Sequence, residues 1–218
     1  MGSAGAAGSK MKLLILGATG GIGIEIVRQA LDRGHNVTAF VRKPERLEEF
    51  GERISIETGN LLNAADLERV MRGHDAVLSA FGPRVPIAKS DAHLLRDFGA
   101  ALTNAMKQAS MRRAIMVSTA FLFKDALIPP VYLLGRILFP AVVADATVME
   151  EILRGSGLNV VIVRPPELTD KPYTGKYRVR ERHLPRFGLS IPRADVADYM
   201  IRRAETGDFR NSVVGVAS

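Results

Sequence analysis

The sequence predicts a doubly wound α/β domain, in which helices cover both faces of a mostly parallel sheet. Three observations support this prediction: short apolar runs alternate with helical patterns as far as residue 163, a glycine-rich turn follows the first run, and no internal repeat is found. Right-handed strand–helix–strand crossovers place helices on both faces of a parallel sheet. The length of 218 residues with 47% hydrophobic content suits one such domain.

The elements follow one another in a regular order. Strands are predicted at residues 12–16, 36–41, 53–57, 76–80, 114–118 and 159–163. Helices are predicted at residues 22–32, 64–71, 90–108, 145–154 and 193–205. Gly34 is expected to end the first helix in a left-handed conformation, and Pro44 is expected to open the next helical turn. Residues 165–218 are expected to form a small C-terminal cap on the substrate side of the sheet.

Composition narrows the classes of function. Residues 1–10 lack the basic and apolar regions of a secretory signal and are expected to be a disordered tail or a remnant of expression, which leaves residues 11–218 as the domain. The absence of cysteine excludes disulfides and cysteine-based metal sites, and a cytoplasmic location is expected. The net charge of +7 favours anionic ligands, with a solvated basic surface as the alternative.

Three other kinds of site are not expected. The most apolar stretch, residues 126–143, is interrupted by prolines, a glycine and an arginine, which indicates an interior or lid segment and no stable membrane insertion. With 6% aromatic residues and no reading helix, nucleic-acid binding is not predicted. The four histidines show no metal spacing, so no metal site is predicted, and His93 and His183 are interpreted as surface or hydrogen-bonding residues.

The turn at residues 17–23 reads Gly-Ala-Thr-Gly-Gly-Ile-Gly, with a predicted strand before it and a predicted helix after it. Small residues there let the backbone approach a pyrophosphate, whose charge the N-terminus of the helix stabilises. The sequence therefore predicts a Rossmann-type fold that binds a nicotinamide dinucleotide. The glycine spacing resembles that of the extended and atypical short-chain dehydrogenase/reductase superfamily. The predicted cofactor contacts in the turn are Gly17, Thr19, Gly20, Gly21, Ile22 and Gly23.

Basic residues follow the second predicted strand, where an acidic residue would accept hydrogen bonds from the adenosine ribose of NADH. Arg42 and Lys43 stand at this point, and Arg46 follows one helical turn beyond Arg42. NADPH differs from NADH by a 2′-phosphate on the adenosine ribose. A guanidinium can bind this phosphate through two parallel hydrogen bonds, so NADPH is the predicted cofactor. A solvated charge cluster at a helix start is the alternative interpretation.

Over residues 13–199 the chain resembles the biliverdin IXβ reductase/flavin reductase family and related bacterial NAD(P)H-binding proteins. The similar segments are Gly-Asn-Leu-Leu at residues 59–62, Phe-Gly at 81–82, Ser-Thr-Ala-Phe-Leu at 118–122, Pro-Pro-Glu-Leu at 165–168 and Thr-Gly-Lys-Tyr at 174–177. The resemblance implies further cofactor contacts at Asn60, Leu61, Phe81, Gly82, Val117, Ser118, Pro165, Pro166 and Leu168.

The chain departs from that family at three positions. Asn60 replaces an aspartate, and Thr119 occupies the position of the active-site serine, with Ser118 in the neighbouring threonine position. Glu167 stands where the reductase has histidine, and a carboxyl group loses its proton at lower pH than an imidazole does, so tetrapyrrole specificity is not expected. The resemblance therefore implies Thr119, Ser118 and Glu167 as the candidate catalytic residues.

The wider superfamily reduces carbonyls with a Tyr-x-x-x-Lys pair, whereas the nearest arrangement here joins Tyr132 to Arg136. The surrounding prolines favour a packing role for Tyr132, with a catalytic role as the alternative. Without that proton donor, an electron-poor conjugated substrate is better suited, because its reduction needs mainly orientation. The predicted substrate contacts are Phe121, Tyr132 and Glu167.

The predicted function is NADPH-dependent hydride transfer to a small molecule such as a flavin, a quinone or another conjugated compound, by a monomer or homodimer. The basic residues of the tail either form a mouth for an anionic substrate or a solvated face. These residues are Lys171, Lys176, Arg178, Arg180, Arg182 and Arg186. A non-catalytic redox-sensing regulator resembling the NmrA group is the alternative, and an epimerase or dehydratase ranks third because it normally needs the Tyr-Lys pair.

Acidic residues at two predicted helix starts are interpreted as structural. Asp145, with Glu150 and Glu151, is expected to open the helix at residues 145–154, where carboxylates complement the helix dipole. Asp195 is expected to cap the last helix. None of the four is assigned a role in catalysis.

Overall fold

The computed structural model describes residues 9–83, 93–123, 137 and 139–218. The strands are β1 (Lys12–Leu16), β2 (Asn36–Val41), β3 (Ser55–Thr58), β4 (Ala76–Ser79), β5 (Arg113–Val117), β6 (Asn159–Arg164), β7 (Glu167–Thr169), β8 (Arg178–Glu181), β9 (Ser190–Pro192) and β10 (Ser212–Ala217). The helices are α1 (Gly21–Asp32), α2 (Ala64–Met71), α3 (Leu94–Gln108), α4 (Pro140–Arg154) and α5 (Arg193–Glu205), and 3₁₀ segments span Glu45–Arg53 and Ala120–Leu122.

Eight strands form one sheet in the order β3-β2-β1-β4-β5-β6-β10-β8. All neighbouring strands are parallel except β8, which runs antiparallel to β10 at the edge. The winding direction reverses between β1 and β4, and ligands of such sheets bind outside the carboxyl ends of the strands at this switch point. Strands β7 and β9 form a small second sheet in the C-terminal part. The predicted doubly wound α/β fold is confirmed.

Helices cover both faces of the sheet, which explains why the central strands are apolar along their whole length. Successive side chains of β1 point to opposite faces. Leu13 and Ile15 pack in one buried cluster with residues of α1 and α5, and Leu14 and Leu16 pack in the other with residues of α2, α3 and α4. Helices α1 and α5 therefore share one face of the sheet.

The sequence does not predict strand β10, although it lies inside the sheet between β6 and β8. Its segment is short and contains Gly215, and a glycine weakens the pattern of a strand. The glycine is required by packing, because a Cβ there would lie 2.2 Å from the carbonyl oxygen of His183. Helix α4 begins at Pro140 instead of residue 145, because proline suits the first turn of a helix.

Two turn predictions can be compared with the structure directly. Gly34 follows α1 with a φ of +81°, so its predicted left-handed conformation is confirmed. Pro44 precedes a 3₁₀ segment, Glu45–Arg53, and this segment occupies the position at which β3 was expected to start. Strand β3 consequently begins at Ser55.

The predictions that Asp145 and Asp195 cap their own helices are wrong. Asp145 lies inside α4, and its carboxylate accepts hydrogen bonds from the backbone N–H groups of Leu95 and Arg96 at 2.7 and 3.2 Å, at the start of α3. Asp195 is fully buried in the first turn of α5. Its carboxylate accepts hydrogen bonds from the N–H and hydroxyl groups of Thr174 and from the N–H of Gly175, at 2.9, 2.6 and 2.9 Å. Each aspartate therefore fastens a segment distant in sequence.

Parts of two predicted segments lie outside the described residues. These parts are residues 90–92 of the third predicted helix, and residues 126–136 and 138 of the apolar stretch, which include Tyr132 and Arg136. Within the part of the chain that the structure describes, no helix has the length and apolar character needed to cross a bilayer. The same residues contain no cluster of three or more metal-ligating side chains of the His, Cys, Asp or Glu type.

Candidate functional site

Backbone hydrogen bonds join neighbouring strands at their carboxyl ends. The N–H of Ala80 donates to the oxygen of Leu16 at 2.9 Å, and the N–H of Gly59 donates to the oxygen of Val41 at 3.2 Å. The N–H of Ser118 donates to the oxygen of Val163 at 2.7 Å. The segments that follow these strands therefore lie along one edge of the sheet. Predicted site residues at this edge are Gly17, Arg42, Asn60, Phe81, Val117, Ser118, Thr119 and Pro165.

Backbone atoms leave no room for a side chain at two positions of the glycine-rich turn, Gly17 and Gly23. Gly17 has a φ of +74°, and a Cβ on it would lie 2.7 Å from the backbone nitrogen of Phe81. A Cβ on Gly23 would lie 2.1 Å from the carbonyl oxygen of Gly17. These contacts place the start of α1 directly above the end of β1, at the switch point between β1 and β4.

The start of α1 fits a pyrophosphate. Gly20 is the N-cap residue, and no described side chain caps this helix end. Gly21 is exposed, whereas the Ile22 side chain is buried in the core and leaves only its backbone for a ligand. Thr19 is half-buried in the turn. Free N–H groups and the helix dipole together favour an anion at this position.

Three exposed basic residues lie beside this turn. Arg42 and Lys43 follow β2, which pairs with β1, and Arg46 belongs to the 3₁₀ segment Glu45–Arg53. All three are exposed to solvent. The carboxyl end of β2 is where the adenosine ribose of a dinucleotide binds in such folds. The pairing of β2 with β1 therefore places these cations next to the glycine-rich turn, as the sequence predicts.

Asn60 belongs to a tight turn that follows β3. Its side-chain oxygen accepts a hydrogen bond from the N–H of Leu62 at 3.1 Å, and its own N–H donates to the Asp66 carboxylate at 2.9 Å. Because the side-chain oxygen is used inside the turn, the amide NH₂ is the group left to donate to a ligand. Leu61 is 6% exposed and packs in the core.

Phe81 and Gly82 follow β4. The Phe81 ring packs on the Phe98 ring of α3, with 4.7 Å between the ring centroids and 55° between the planes. Gly82 is exposed. Because the backbone around Phe81 also packs against Gly17, this segment lies beside the glycine-rich turn at the switch point.

A buried ion pair lies beneath the carboxyl end of β5. Glu150 of α4 and Arg164 of β6 are 1% and 9% exposed. The Arg164 Nε and Nη2 atoms donate to the two carboxylate oxygens of Glu150 at 3.0 and 2.5 Å. The hydroxyl of Ser118 donates to the same carboxylate at 2.6 Å. The Arg164 guanidinium also lies over the Phe123 ring, 4.6 Å from its centroid.

The prediction that Glu150 helps to open α4 is therefore wrong, and the role of Arg164 is not predicted from the sequence at all. A pattern in the sequence was available. Glu150 lies on the apolar stripe formed by Ala146, Met149 and Leu153, at spacings that place a helical residue on the buried face. A charged residue at such a position needs a buried partner of opposite charge.

Thr119 and Ser118 use their hydroxyl groups differently. The Thr119 oxygen accepts a hydrogen bond from the N–H of Phe121 at 3.3 Å and so caps the 3₁₀ segment Ala120–Leu122. That bond does not use the hydroxyl proton of Thr119. By contrast, the Ser118 proton is directed into the protein toward Glu150. Both residues are half-buried at the end of β5.

The predicted substrate-side residues are placed only in part. The Phe121 ring stacks with the Phe139 ring, with centroids 6.5 Å apart and planes 20° apart. Glu167 is exposed at the start of β7, and its N–H donates to the oxygen of Leu189 at 3.2 Å. Tyr132 lies outside the described residues. The remaining predicted contacts differ in burial: Pro165 is buried, and Pro166 and Leu168 are half-buried.

Two tyrosines link the segment before β8 to helix α5 through hydrogen bonds. The hydroxyls of Tyr173 and Tyr177 donate to the buried carboxylate of Asp198 at 3.2 and 2.6 Å. Burial, and then the hydrogen bond to Asp198, raise the pKa of Tyr177 well above its usual range. Asp198 also forms ion pairs with Arg33, which directly follows α1, and with Arg202 of α5. Tyr177 therefore stays protonated and serves as a structural donor.

The basic residues of the tail do not all belong to one strand. Arg178 and Arg180 belong to β8, but Arg182 has a φ of +60°, which ends the alternation of faces. The Arg178 guanidinium donates to the backbone oxygens of Arg186 and Ser218 at 2.7 and 2.9 Å. At least one of these arginines therefore has a structural role.

Comparison with known proteins assigns the chain to a family. A family model described as NAD(P)H-binding matches residues 17–206, from the first glycine of the turn to just beyond α5. The chain belongs to this NAD(P)H-binding family. Membership identifies the kind of ligand, and the uncapped start of α1 and the close glycine packing suit a dinucleotide.

Two relatives of this NAD(P)H-binding protein match part of its length. The uncharacterised protein YwnB from Bacillus subtilis is 36% identical over 110 residues, which cover 50% of this chain and 48% of YwnB. The photosystem II assembly factor Ycf39 from Synechocystis is 31% identical over 111 residues, which cover 50% of this chain and 33% of Ycf39. The matched region thus spans less than half of either relative.

The same fold occurs in a solved structure with a bound dinucleotide. A short-chain dehydrogenase/reductase from Veillonella parvula, in complex with NADP, superposes with a TM-score of 0.80. The two proteins are 21% identical, and the superposition covers 95% of this chain and 94% of that one. This likeness confirms the Rossmann-type fold of the NAD(P)H-binding chain.

Proposed function

We propose that the protein is an NADPH-dependent reductase whose substrate is a flavin, a quinone or another small conjugated molecule. The observation that carries the proposal is that the sheet edge joins the glycine-rich turn to the hydroxyls of Ser118 and Thr119. When bound, NADPH supplies a hydride from its nicotinamide ring. The resemblance to the biliverdin IXβ reductase/flavin reductase family supports a conjugated substrate.

Cofactor binding is assigned to three parts of the edge. The N–H groups at the start of α1 bind the pyrophosphate, and Arg42, with Lys43 and Arg46 nearby, binds the 2′-phosphate. The Asn60 amide group donates to the adenine side of the cofactor. These residues hold and orient the dinucleotide, so that its nicotinamide end extends toward β5.

Substrate orientation is assigned to the end of β5. The Thr119 hydroxyl, whose proton is not used by its bond to Phe121, donates to the substrate. The Ser118 hydroxyl, which already donates to Glu150, offers its oxygen as an acceptor. The sequence contains no Tyr-x-x-x-Lys pair. A conjugated substrate therefore suits the site, since its reduction depends mainly on orientation over the cofactor.

Changing Arg42 to aspartate should reverse the cofactor preference. The variant loses a bidentate contact with the 2′-phosphate and gains a carboxylate that accepts hydrogen bonds from the ribose of NADH. We expect the Kd for NADPH to rise by about tenfold to a hundredfold, without a rise in the Kd for NADH. Fluorescence titration of both cofactors measures the effect. The matched control is Arg72→Asp at the opposite edge of the sheet, which should leave the preference unchanged. Equal affinity of the unmodified protein for NADPH and NADH would contradict the assignment.

Changing Thr119 to alanine should lower kcat with a flavin or quinone by about tenfold to a hundredfold, because it removes the donor that orients the substrate. Thr119→Ser keeps the hydroxyl and should restore most of the rate. The assay follows the absorbance of reduced nicotinamide at saturating NADPH with FMN, FAD, quinones and biliverdin. Glu167→Gln is tested alongside. An unchanged rate in Thr119→Ala would remove Thr119 from catalysis, and the same result in Glu167→Gln would remove Glu167.

A second candidate function is a redox-sensing regulator that binds NADPH and recognises a protein partner. The missing Tyr-Lys pair favours it, and one partial relative, Ycf39, is named as an assembly factor. Tight NADPH binding without oxidation by any flavin, quinone or biliverdin would support the regulator and reject the reductase.

A further inference from the structure

Arg193, the first residue of α5, lies across the start of α1. A Cβ on Gly21 would lie 2.6 Å from Cδ and 2.9 Å from Nε of Arg193, so the arginine side chain rests on the glycine-rich turn. The Gln29 side chain of α1 donates to the carbonyl oxygen of Ala194 at 2.8 Å, which fixes the start of α5 beside α1. The Arg193 side chain is therefore held next to the N–H groups at the start of α1, which the proposed function assigns to the pyrophosphate.

Arg193 forms an ion pair with a solvent-exposed aspartate, Asp170. Its Nη1 atom donates to the Asp170 carboxylate at 2.6 Å, and the Asp170 side chain is 90% exposed. The Arg193 side chain is 29% exposed. An ion pair with such an exposed acid is weak, because water and salt screen it. A ligand anion can therefore replace Asp170 as the partner of Arg193.

The pair also stands where the C-terminal part meets the turn. Asp170 directly follows β7, and Arg193 directly follows β9, the strand that pairs with β7. One acid and one base are thus brought together at the edge of the small second sheet, above the start of α1. Gly21 leaves space for the arginine there, since a side chain at residue 21 would place its Cβ in the volume that Arg193 occupies.

We infer that Arg193 is a phosphate-binding residue of the dinucleotide site, which exchanges Asp170 for the pyrophosphate of the cofactor. The inference rests on the cofactor binding in the proposed function. A guanidinium can donate two parallel N–H bonds to a phosphate, and the N–H groups of α1 bind the same anion from the other side. Asp170 pairs with the Arg193 guanidinium in the absence of cofactor and so competes with the pyrophosphate for this arginine.

Arg193→Gln should raise the Kd for NADPH and the Kd for NADH by the same factor, about tenfold to a hundredfold, because both cofactors carry the same pyrophosphate. The ratio of the two affinities should stay constant, unlike in Arg42→Asp. Adenosine 2′-monophosphate lacks the pyrophosphate and should bind Arg193→Gln as it binds the unmodified protein. Asp170→Asn should bind both dinucleotides more tightly, because the competing carboxylate is gone.

The control is Arg72→Gln, which removes an equal charge from a surface ion pair with Glu68 at the opposite edge. Thermal unfolding of each variant checks that it is folded, and the exposed Asp170→Asn tests the inference even if Arg193→Gln is unstable. Asp170→Asn should tighten binding only while Arg193 is present. An unchanged Kd in Arg193→Gln, or tightening by Asp170→Asn without Arg193, would overturn the inference. Normal binding without NADPH oxidation would overturn the reductase proposal alone.

Discussion

Replacing Glu150 with alanine is expected to lower the free energy of unfolding by about 3–5 kcal/mol, because it leaves the buried Arg164 guanidinium without its carboxylate. The hydroxyl of Ser118 loses its acceptor in the same step. Urea unfolding measures the change. Glu151→Ala, at the exposed neighbouring position, is the matched control and should change the stability by less than about 0.5 kcal/mol.

The double variant Glu150→Leu with Arg164→Met separates stability from function. Replacing both charges by apolar side chains of similar size removes the unpaired charge, so most of the lost stability should return. The rate of substrate reduction by the double variant should be lower than that of the unmodified protein, since no carboxylate holds the Ser118 hydroxyl. A loss below about 1 kcal/mol in Glu150→Ala would contradict the assigned role of the pair.

Replacing Gly23 with alanine is expected to raise the Kd for NADPH by about a hundredfold or more, because the start of α1 must move away from the phosphate position. The added Cβ would lie 2.1 Å from the oxygen of Gly17 and 2.7 Å from Cα of Ala18. Both are backbone atoms, so no side-chain rotation relieves the contact. Fluorescence titration with NADPH and urea unfolding measure the effects on binding and on stability.

Gly20→Ala provides the comparison for the stability effect. The nearest atom to its added Cβ would be the Gly17 oxygen at 3.4 Å, which is an ordinary contact. The free energy of unfolding of this variant should stay close to that of the unmodified protein, whereas Gly23→Ala should be destabilised. Unaltered NADPH affinity in Gly23→Ala would show that the turn does not bind the pyrophosphate.

The central fold was predictable because local patterns and overall packing agree. Helices α2 and α5 have their predicted bounds, and α2 begins after Asn63, whose side chain accepts hydrogen bonds from the N–H groups of Ala65 and Asp66. Strand β10 was not predicted, because its place beside β6 depends on a pairing between distant segments. A short run with a glycine gives little local indication of such a pairing.

In the candidate site too, local motifs were predictable from the sequence, whereas contacts between distant segments were not. The glycine-rich turn and the basic residues after β2 follow from short motifs, and the sheet order brings them together. The bonds of Asp145, Glu150 and Asp195 join segments that are far apart in sequence, and helical periodicity does not encode a partner of that kind. The position of Arg193 above Gly21 depends on the packing of α5 against α1, which no local pattern specifies.

The contact between α1 and α5 also sets the order in which the site can form. Helix α1 precedes α5 by a long stretch of chain, but its buried side packs in one cluster with α5, and Arg33, directly after α1, pairs with Asp198, 165 residues later. Contacts of such long sequence separation form late, because a large loop must close before they stabilise the chain. During synthesis the dinucleotide turn therefore emerges before α5, and it gains its native support only after α5 has left the ribosome.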